Sequence, residues 1–161
     1  MADRTTINKI YSTSGADRFP VPIANGETLP IGTLVQEQSG FANHYDGTNM
    51  MLGIVVGGEN TNSNGVPVGD TSLSPDPTVY IDTTGPVLMG VPVASAAAVG
   101  EYVYCDDSDF DNATVTQPTT DAQIGTVIGW RSASDCDVKL FSMIEHRLGT
   151  DAAATPGTSW V

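Results

Sequence analysis

The sequence predicts an all-β chain: a small β-barrel or β-sandwich domain with an extended N-terminal arm and a flexible C-terminal tail. Three observations lead there. Two stretches alternate with the period of a pleated strand, helical periodicity fits neither of them, and 17 Gly and 10 Pro supply turns along the whole chain. In Gln123–Arg131 the residues Ile124, Thr126, Ile128 and Trp130 share one parity against Gly125, Val127, Gly129 and Arg131. In Asp135–Ser142, Cys136, Val138 and Leu140 alternate with Asp135, Asp137 and Lys139. Each pattern buries one face of a strand and wets the other. A length of 161 residues suits one domain with a full core and is short for two.

From the N-terminus, residues 1–28 read as an arm. Isolated apolar residues (Ile7, Ile10, Tyr11, Phe19, Val21 and Ile23) stand among polar ones, and Pro20 and Pro22 hold the chain extended. Such a segment has no core of its own. These side chains are the candidate contacts to a partner, made by adding a strand to a sheet edge; a loose terminus is the alternative. The β domain is expected over residues 29–148. Thr33–Gln38, Phe41–Tyr45 and Met51–Gly57 read as strands, set off by Ser39-Gly40 and by the hairpin dipeptide Asp46-Gly47. Residues 58–77 hold almost nothing but turn formers and are expected to form a long exposed loop, which either contacts a partner or hangs free.

Thr78–Asp82 and Pro86–Val93 come next as strands. Ser95–Gly100 is a bend or a single turn, too short for a stable helix despite its alanines. Strands are then expected at Tyr102–Tyr104, Ala113–Gln117, Ile124–Trp130 and Asp137–Phe141, with an acidic turn at 106–112. Ser142–Leu148 either curls into a last turn or runs on as strand. Residues 149–161 form the tail, where Trp160 is either a fraying end or an anchor for a pocket.

The net charge is −13, from 19 acidic and 6 basic residues. Residues 1–28 are neutral, with Asp3, Asp17 and Glu27 against Arg4, Lys9 and Arg18, so the whole charge falls on the remainder. Such a surface repels phosphates, and neither direct nucleic-acid binding nor membrane binding is expected; solubility alone is the plainer reading of the charge. No apolar run approaches the roughly 20 residues that span a bilayer, and the first ten residues lack the apolar centre of a secretion signal. Synthesis and retention in a cytoplasm are expected. Cys105 and Cys136 fit this as small buried hydrophobes, with a disulfide as the lesser reading.

Neither an enzyme nor a cofactor is expected. The acidic run 106–112 aligns Asp107, Asp109 and Asp111 with a calcium loop, but the places that require Gly and Glu hold Asn112 and Pro118. Two Cys and two His (His44, His146) lack the paired spacing of a zinc site. No Gly-x-Ser-x-Gly elbow or phosphate-cradling glycine loop is present. Catalytic, cofactor and metal residues are therefore all expected to be none.

The succession of PVLMGVPV (86–93), an alanine-rich bend running into AVGEYVY (98–104), an acidic turn, ATVTQ (113–117), IGTVIGW (124–130) and DVKLF (137–141) resembles the capsid decoration, or cement, proteins that coat the heads of tailed bacteriophages. The resemblance covers roughly the C-terminal two-thirds of the chain. It implies a non-enzymatic structural protein of the virion, a small β domain that is commonly trimeric and sits where capsid subunits meet. There it would bind the major capsid protein on the outer capsid surface and stabilise the head. In a homotrimer the strand carrying Val87, Leu88 and Met89, apolar on both parities, is the expected contact between copies. The rival reading is a carbohydrate- or cell-surface-binding β module of a tail fibre or surface protein, with Tyr45, Tyr80, Tyr104 and Trp130 as its candidate aromatics.

Overall fold

Leu34 and Val35 in one strand, and Ile54, Val55 and Val56 in another, put apolar side chains on both faces, so each strand has to be covered twice. The computed structural model covers them with two sheets. It describes residues 10–11, 18–70, 72–105, 113–116 and 121–142, with the side chains of all but residues 10, 11 and 130. The described residues form no helix and ten strands: β1 (Ile10–Tyr11), β2 (Arg18–Pro22), β3 (Leu34–Gln38), β4 (Phe41–His44), β5 (Met51–Gly58), β6 (Thr78–Asp82), β7 (Val87–Pro92), β8 (Tyr102–Cys105), β9 (Ala122–Ser132) and β10 (Asp135–Leu140). The first antiparallel sheet has the order β1-β7-β10-β9-β8 and the second β2-β6-β5-β3-β4. The fold is all-β, a small sandwich of the two.

β5 and β3 occupy inner positions of the second sheet. Leu34, Met51 and Ile54, together with Tyr45, face the first sheet and pack in one core with its Leu88, Val103, Ile124, Val127, Val138 and Leu140. On the other side Val35 and Val55 join Val21, Ile23, Leu29, Ala42, Val79 and Ile81 in a second core. That core is enclosed because the second sheet curls on itself. Its edge strands β2 and β4 are joined by a bridge between Ile23 and Ala42, and His44 Nε2 donates to the Thr28 carbonyl at 2.8 Å beside the same seam. A carbonyl only accepts, which fixes that ring nitrogen as the protonated one.

Residues 18–23, read from the sequence as arm, are built into the domain. β2 pairs with β6 from Arg18↔Asp82 to Pro22↔Thr78, and Val21 and Ile23 are 6 % and 0 % exposed. Alternation of Phe19, Val21 and Ile23 is a strand signal, and proline is compatible with it at an edge. Residues 58–77 are exposed only in part. Positions 61–65 and 72–75 face solvent, whereas Val66–Gly69 folds back on 26–29 through Leu29 N–H to Pro67 O, Gly26 N–H to Gly69 O and Gly69 N–H to Glu27 O, each 2.9 Å. Pro67 and Gly69 are buried by this return.

The alternation of 135–140 holds, with Cys136, Val138 and Leu140 buried. That of 123–131 does not. Against β10, the pairs Asp137↔Gly129 and Val138↔Val127 leave Ile128 without a counterpart; against β8, Val103↔Gly125 and Tyr104↔Gln123 leave Ile124 so. Each bulge adds a residue and switches the face of the residues beyond it. Ile124 and Val127 are therefore both buried, while Ile128 is 47 % exposed; the side chain of Trp130 lies outside the described residues. Ala113–Thr116 supplies only an isolated bridge between Tyr104 and Thr114 where a strand was expected. The acidic run 106–112, Gln117 and residues 143–161, with His146 and the tail, lie outside the described residues.

The two cores make a direct prediction about truncation. Ile23→Ala is expected to lower stability by about 2–5 kcal/mol, and Phe19→Ala, on the exposed part of the same strand, by less than about 0.5 kcal/mol. Removing residues 1–28 should abolish cooperative urea unfolding, whereas removing 1–17 should preserve it.

Candidate functional site

In an all-β molecule the backbone groups open to a partner lie at strand edges. The second sheet offers little there. Ile23 N–H reaches Pro77 O at 3.1 Å, continuing the β2–β6 register, so the odd-numbered residues of β2 turn their N–H groups toward β6 and the even-numbered ones turn away. Two of the three even positions, 20 and 22, are proline. That edge lacks the donors a ladder needs and is blunted against strand addition.

The first sheet is different. One edge is β8, bridged by Thr114 at Tyr104; the other is β1, laid on β7 with Ile10 opposite Leu88 and Tyr11 opposite Val87. Beyond Val87 the next residue, Pro86, turns its main-chain groups toward β10, its carbonyl accepting from the Leu140 N–H at 3.1 Å. Further along, β7 bulges against β10: Val138↔Leu88 and Cys136↔Val91 leave Met89 and Gly90 together opposite Asp137. Gly90 takes φ 67°, a left-handed conformation that suits glycine. Its N–H donates to Asp137 Oδ1 at 3.0 Å, and the same oxygen accepts from Arg131 Nε. Three neighbouring strands, β7, β10 and β9, are thus tied at one point.

The structure brings the two candidate sets from the sequence together at this edge. Ile10 and Tyr11 of the arm pair with the strand that carries Val87, Leu88 and Met89. Leu88 is fully buried in the core, while Val87 and Met89 are half-buried on the opposite face, so only the latter two are placed to touch a neighbour. Phe19 is 61 % exposed, on the second sheet. Val21 and Ile23 lie in the enclosed core and have no surface for a partner. Ile7 is outside the described residues. Of the aromatics considered for a glycan, Tyr45 and Tyr104 are buried and Tyr80 is half-buried.

The bases near this edge are engaged locally. Arg131 holds Asp137, and Lys139 Nζ donates to the carbonyls of Gly85 and, at 3.3 Å, Leu140. The Arg131 guanidinium holds the Asp137 carboxyl below the usual carboxylate range; burial opposes this and the Gly90 N–H assists it. Acidic turns elsewhere are self-capped. Asp46 Oδ1 accepts from the Thr48 N–H and hydroxyl, Asp70 Oδ1 from those of Ser72, and Asp82 Oδ1 from those of Thr84. Burial pushes the Asp46 carboxyl up, but the bonds from Thr48 and Gln36 outweigh it and hold it below its ordinary value. Among the described residues no three His, Cys, Asp or Glu side chains gather where a metal ion would sit. His44 lies 3.4 Å from Glu27 Oε1 at the seam, on the sheet that does not contain β7.

Sequence reasoning missed the Arg131–Asp137–Gly90 contact. One signal was present: a glycine inside an apolar strand run is the mark of a bulge. The partners of that glycine become visible only with the register. Compared with known proteins, the chain matches no family model, and no curated protein is similar to it.

Two measurements check this chemistry. Because the native Asp137 carboxyl is held below its unfolded value, it contributes stability that is complete above about pH 4 and lost as the pH falls through the lower native value. Asp137→Asn is expected to lower the urea midpoint at neutral pH and to flatten part of its decline in acid. The Cys136 thiol is pushed up to about 11 by burial, then by Asp137 and Asp135, and both cysteines are fully buried. Ellman's reagent at about pH 8 should titrate neither thiol in the native protein and both after denaturation.

Proposed function

We propose that this chain is a capsid decoration protein, a non-enzymatic component of a phage virion that binds the major capsid protein on the outer surface of a tailed-phage head and stabilises it. One observation carries the reading: the N-terminal segment reaches the fold as a two-residue strand on the open edge of a sheet, while the other sheet's edge is blunted by proline and joined at a seam. Residues 1–11 contain no proline and are therefore able to pair along their whole length. The succession of turn and strand residues from Pro86 to Phe141, which resembles the decoration proteins, supports the same reading. A surface with a net charge of −13 is unsuited to nucleic acid or anionic lipid.

The mechanism needs no bond chemistry. A protein that binds the assembled shell and not its separated subunits shifts the balance toward the shell by mass action. Main-chain hydrogen bonds from the arm provide affinity, and three copies around a local three-fold junction multiply it. In that homotrimer Val87 and Met89 face the neighbour and Leu88 serves the core.

Mixing the protein with undecorated heads tests this. The full chain should sediment with heads, and the chain lacking residues 1–17 should bind at least about tenfold more weakly while unfolding as cooperatively as before. Equal binding by the truncated chain would make the arm a bystander, and no binding by the full chain would remove the reading altogether. Met89→Asp should reduce the trimer seen by light scattering; a variant that stays as trimeric as the parent places the contact elsewhere.

A further inference from the structure

The chain contains two Asn-Gly dipeptides, Asn25-Gly26 and Asn64-Gly65. Asparagine is a thermally labile residue, and most so before glycine, which has no side chain to shield its main-chain nitrogen. All four residues face solvent, and a Cβ built on either glycine would meet nothing within 4 Å. Exposure and local space therefore do not separate the two places. Hydrogen bonding does. Each glycine N–H is engaged: Gly65 donates to Asn62 O and Gly26 to Gly69 O, both at 2.9 Å. The nitrogen becomes a nucleophile only when that bond opens, so reactivity follows how much structure each opening takes with it.

Gly65 ends a turn at the tip of a short hairpin that is bridged at Thr61↔Pro67. Its bond, those of Asn62 N–H to Val66 O at 2.9 Å, and those of Asn64 N–H and Val66 N–H to Asn62 Oδ1 at 2.9 and 3.1 Å all lie within residues 62–66. None of these residues belongs to either core. Gly26, by contrast, is tied to the segment that closes the second core. Gly69 also donates to Glu27 O, and Leu29, fully buried in that core, donates to Pro67 O, both at 2.9 Å. Gly69 lies so close on the neighbouring backbone that a Cβ there would stand 2.0 Å from Ala24 O. Opening at Gly26 works against this closure; opening at Gly65 disturbs nothing beyond the tip. Asp46-Gly47, which reacts by the same route, is held at its carboxylate by Thr48 and at its N–H by Gln36.

We infer that Asn64 is a site of spontaneous deamidation in the native protein and that Asn25, in the same dipeptide, is protected by the return of residues 66–69. The inference is independent of the function proposed above. The Gly65 main-chain nitrogen, its proton passed to solvent base, attacks Asn64 Cγ. A C–N bond forms to close a cyclic imide, the bond to the side-chain nitrogen breaks, and that nitrogen leaves as ammonia with a proton from water. Water then opens the imide at either carbonyl, giving aspartate or isoaspartate at position 64. Nothing is oxidised or reduced, and water is the only co-reactant. The product carries one more negative charge, at an exposed tip.

Incubating the full-length protein in warm, mildly alkaline buffer tests this, with peptide mapping by mass spectrometry after digestion in mild acid. In the native protein, conversion at 64 should outrun conversion at 25 by at least about tenfold; in concentrated urea the two rates should converge. Gly69→Ala, whose added Cβ pushes the returning segment off Ala24 O, should raise the rate at 25 more than that at 64. If that variant does not fold, Leu29→Ala, which removes the buried side chain beneath the same segment, takes its place. Equal native rates overturn the protection of Asn25. No conversion at 64 over a period that converts it in the urea-unfolded chain overturns the site. A folded variant in which 25 stays as unreactive as in the parent overturns the part given to residues 66–69.

Discussion

Two strands that are apolar on both faces set the terms for the rest of the molecule. β3 and β5 bury Leu34, Met51 and Ile54 on one side and Val35 and Val55 on the other. Fully burying each such side chain stabilises the fold by roughly 1.5–3 kcal/mol, and exposing either face would forfeit several of them at once. The first sheet covers one side. For the other, no third sheet is present among the described residues, so the second sheet closes on itself and draws in β2, Leu29 and the returning segment of residues 66–69. The N-terminal region is thereby divided at a definite place: from Arg18 onward it is structural.

How much of this was legible in the sequence depended on whether a residue's neighbour is set locally. The alternation of Cys136, Val138 and Leu140 needed only the two-residue period of a strand, and it held. The double-faced character of Leu34-Val35 and Ile54-Val55-Val56 was likewise readable as apolar residues at adjacent positions. β9 was misread in parity because bulges at Ile124 and Ile128 depend on what β8 and β10 place opposite, which no local pattern records. β2 was misread as arm because Pro20 and Pro22 resemble a linker until the direction of their missing N–H groups is known. In the candidate site the same division applies. Val87, Leu88 and Met89 stood out as an apolar run, but which of them faces inward, and that Asp137 and Arg131 meet Gly90, are consequences of register.

The charge distribution obeys a similar logic. Asp46, Asp70 and Asp82 each hold a turn closed through the N–H and hydroxyl two residues on, so these three of the 19 acids have a local structural use beyond solubility. The bases Arg131 and Lys139 are occupied within the first sheet. What the described surface leaves for recognition is therefore backbone and modest apolar area more than opposite charge. Contacts of that kind should be less sensitive to salt than contacts between surface charges.

The unequal attachment of the N-terminal region has a mechanical meaning. β1 is held by two residue pairs and β2 by five, with Val21 and Ile23 embedded behind it. A pull applied to the first residues reaches the short strand, held by two pairs, before the long one, held by five. The attachment is thus graded like a tether sewn with a weak seam outside a strong one: the load meets last a strand whose removal would open the interior.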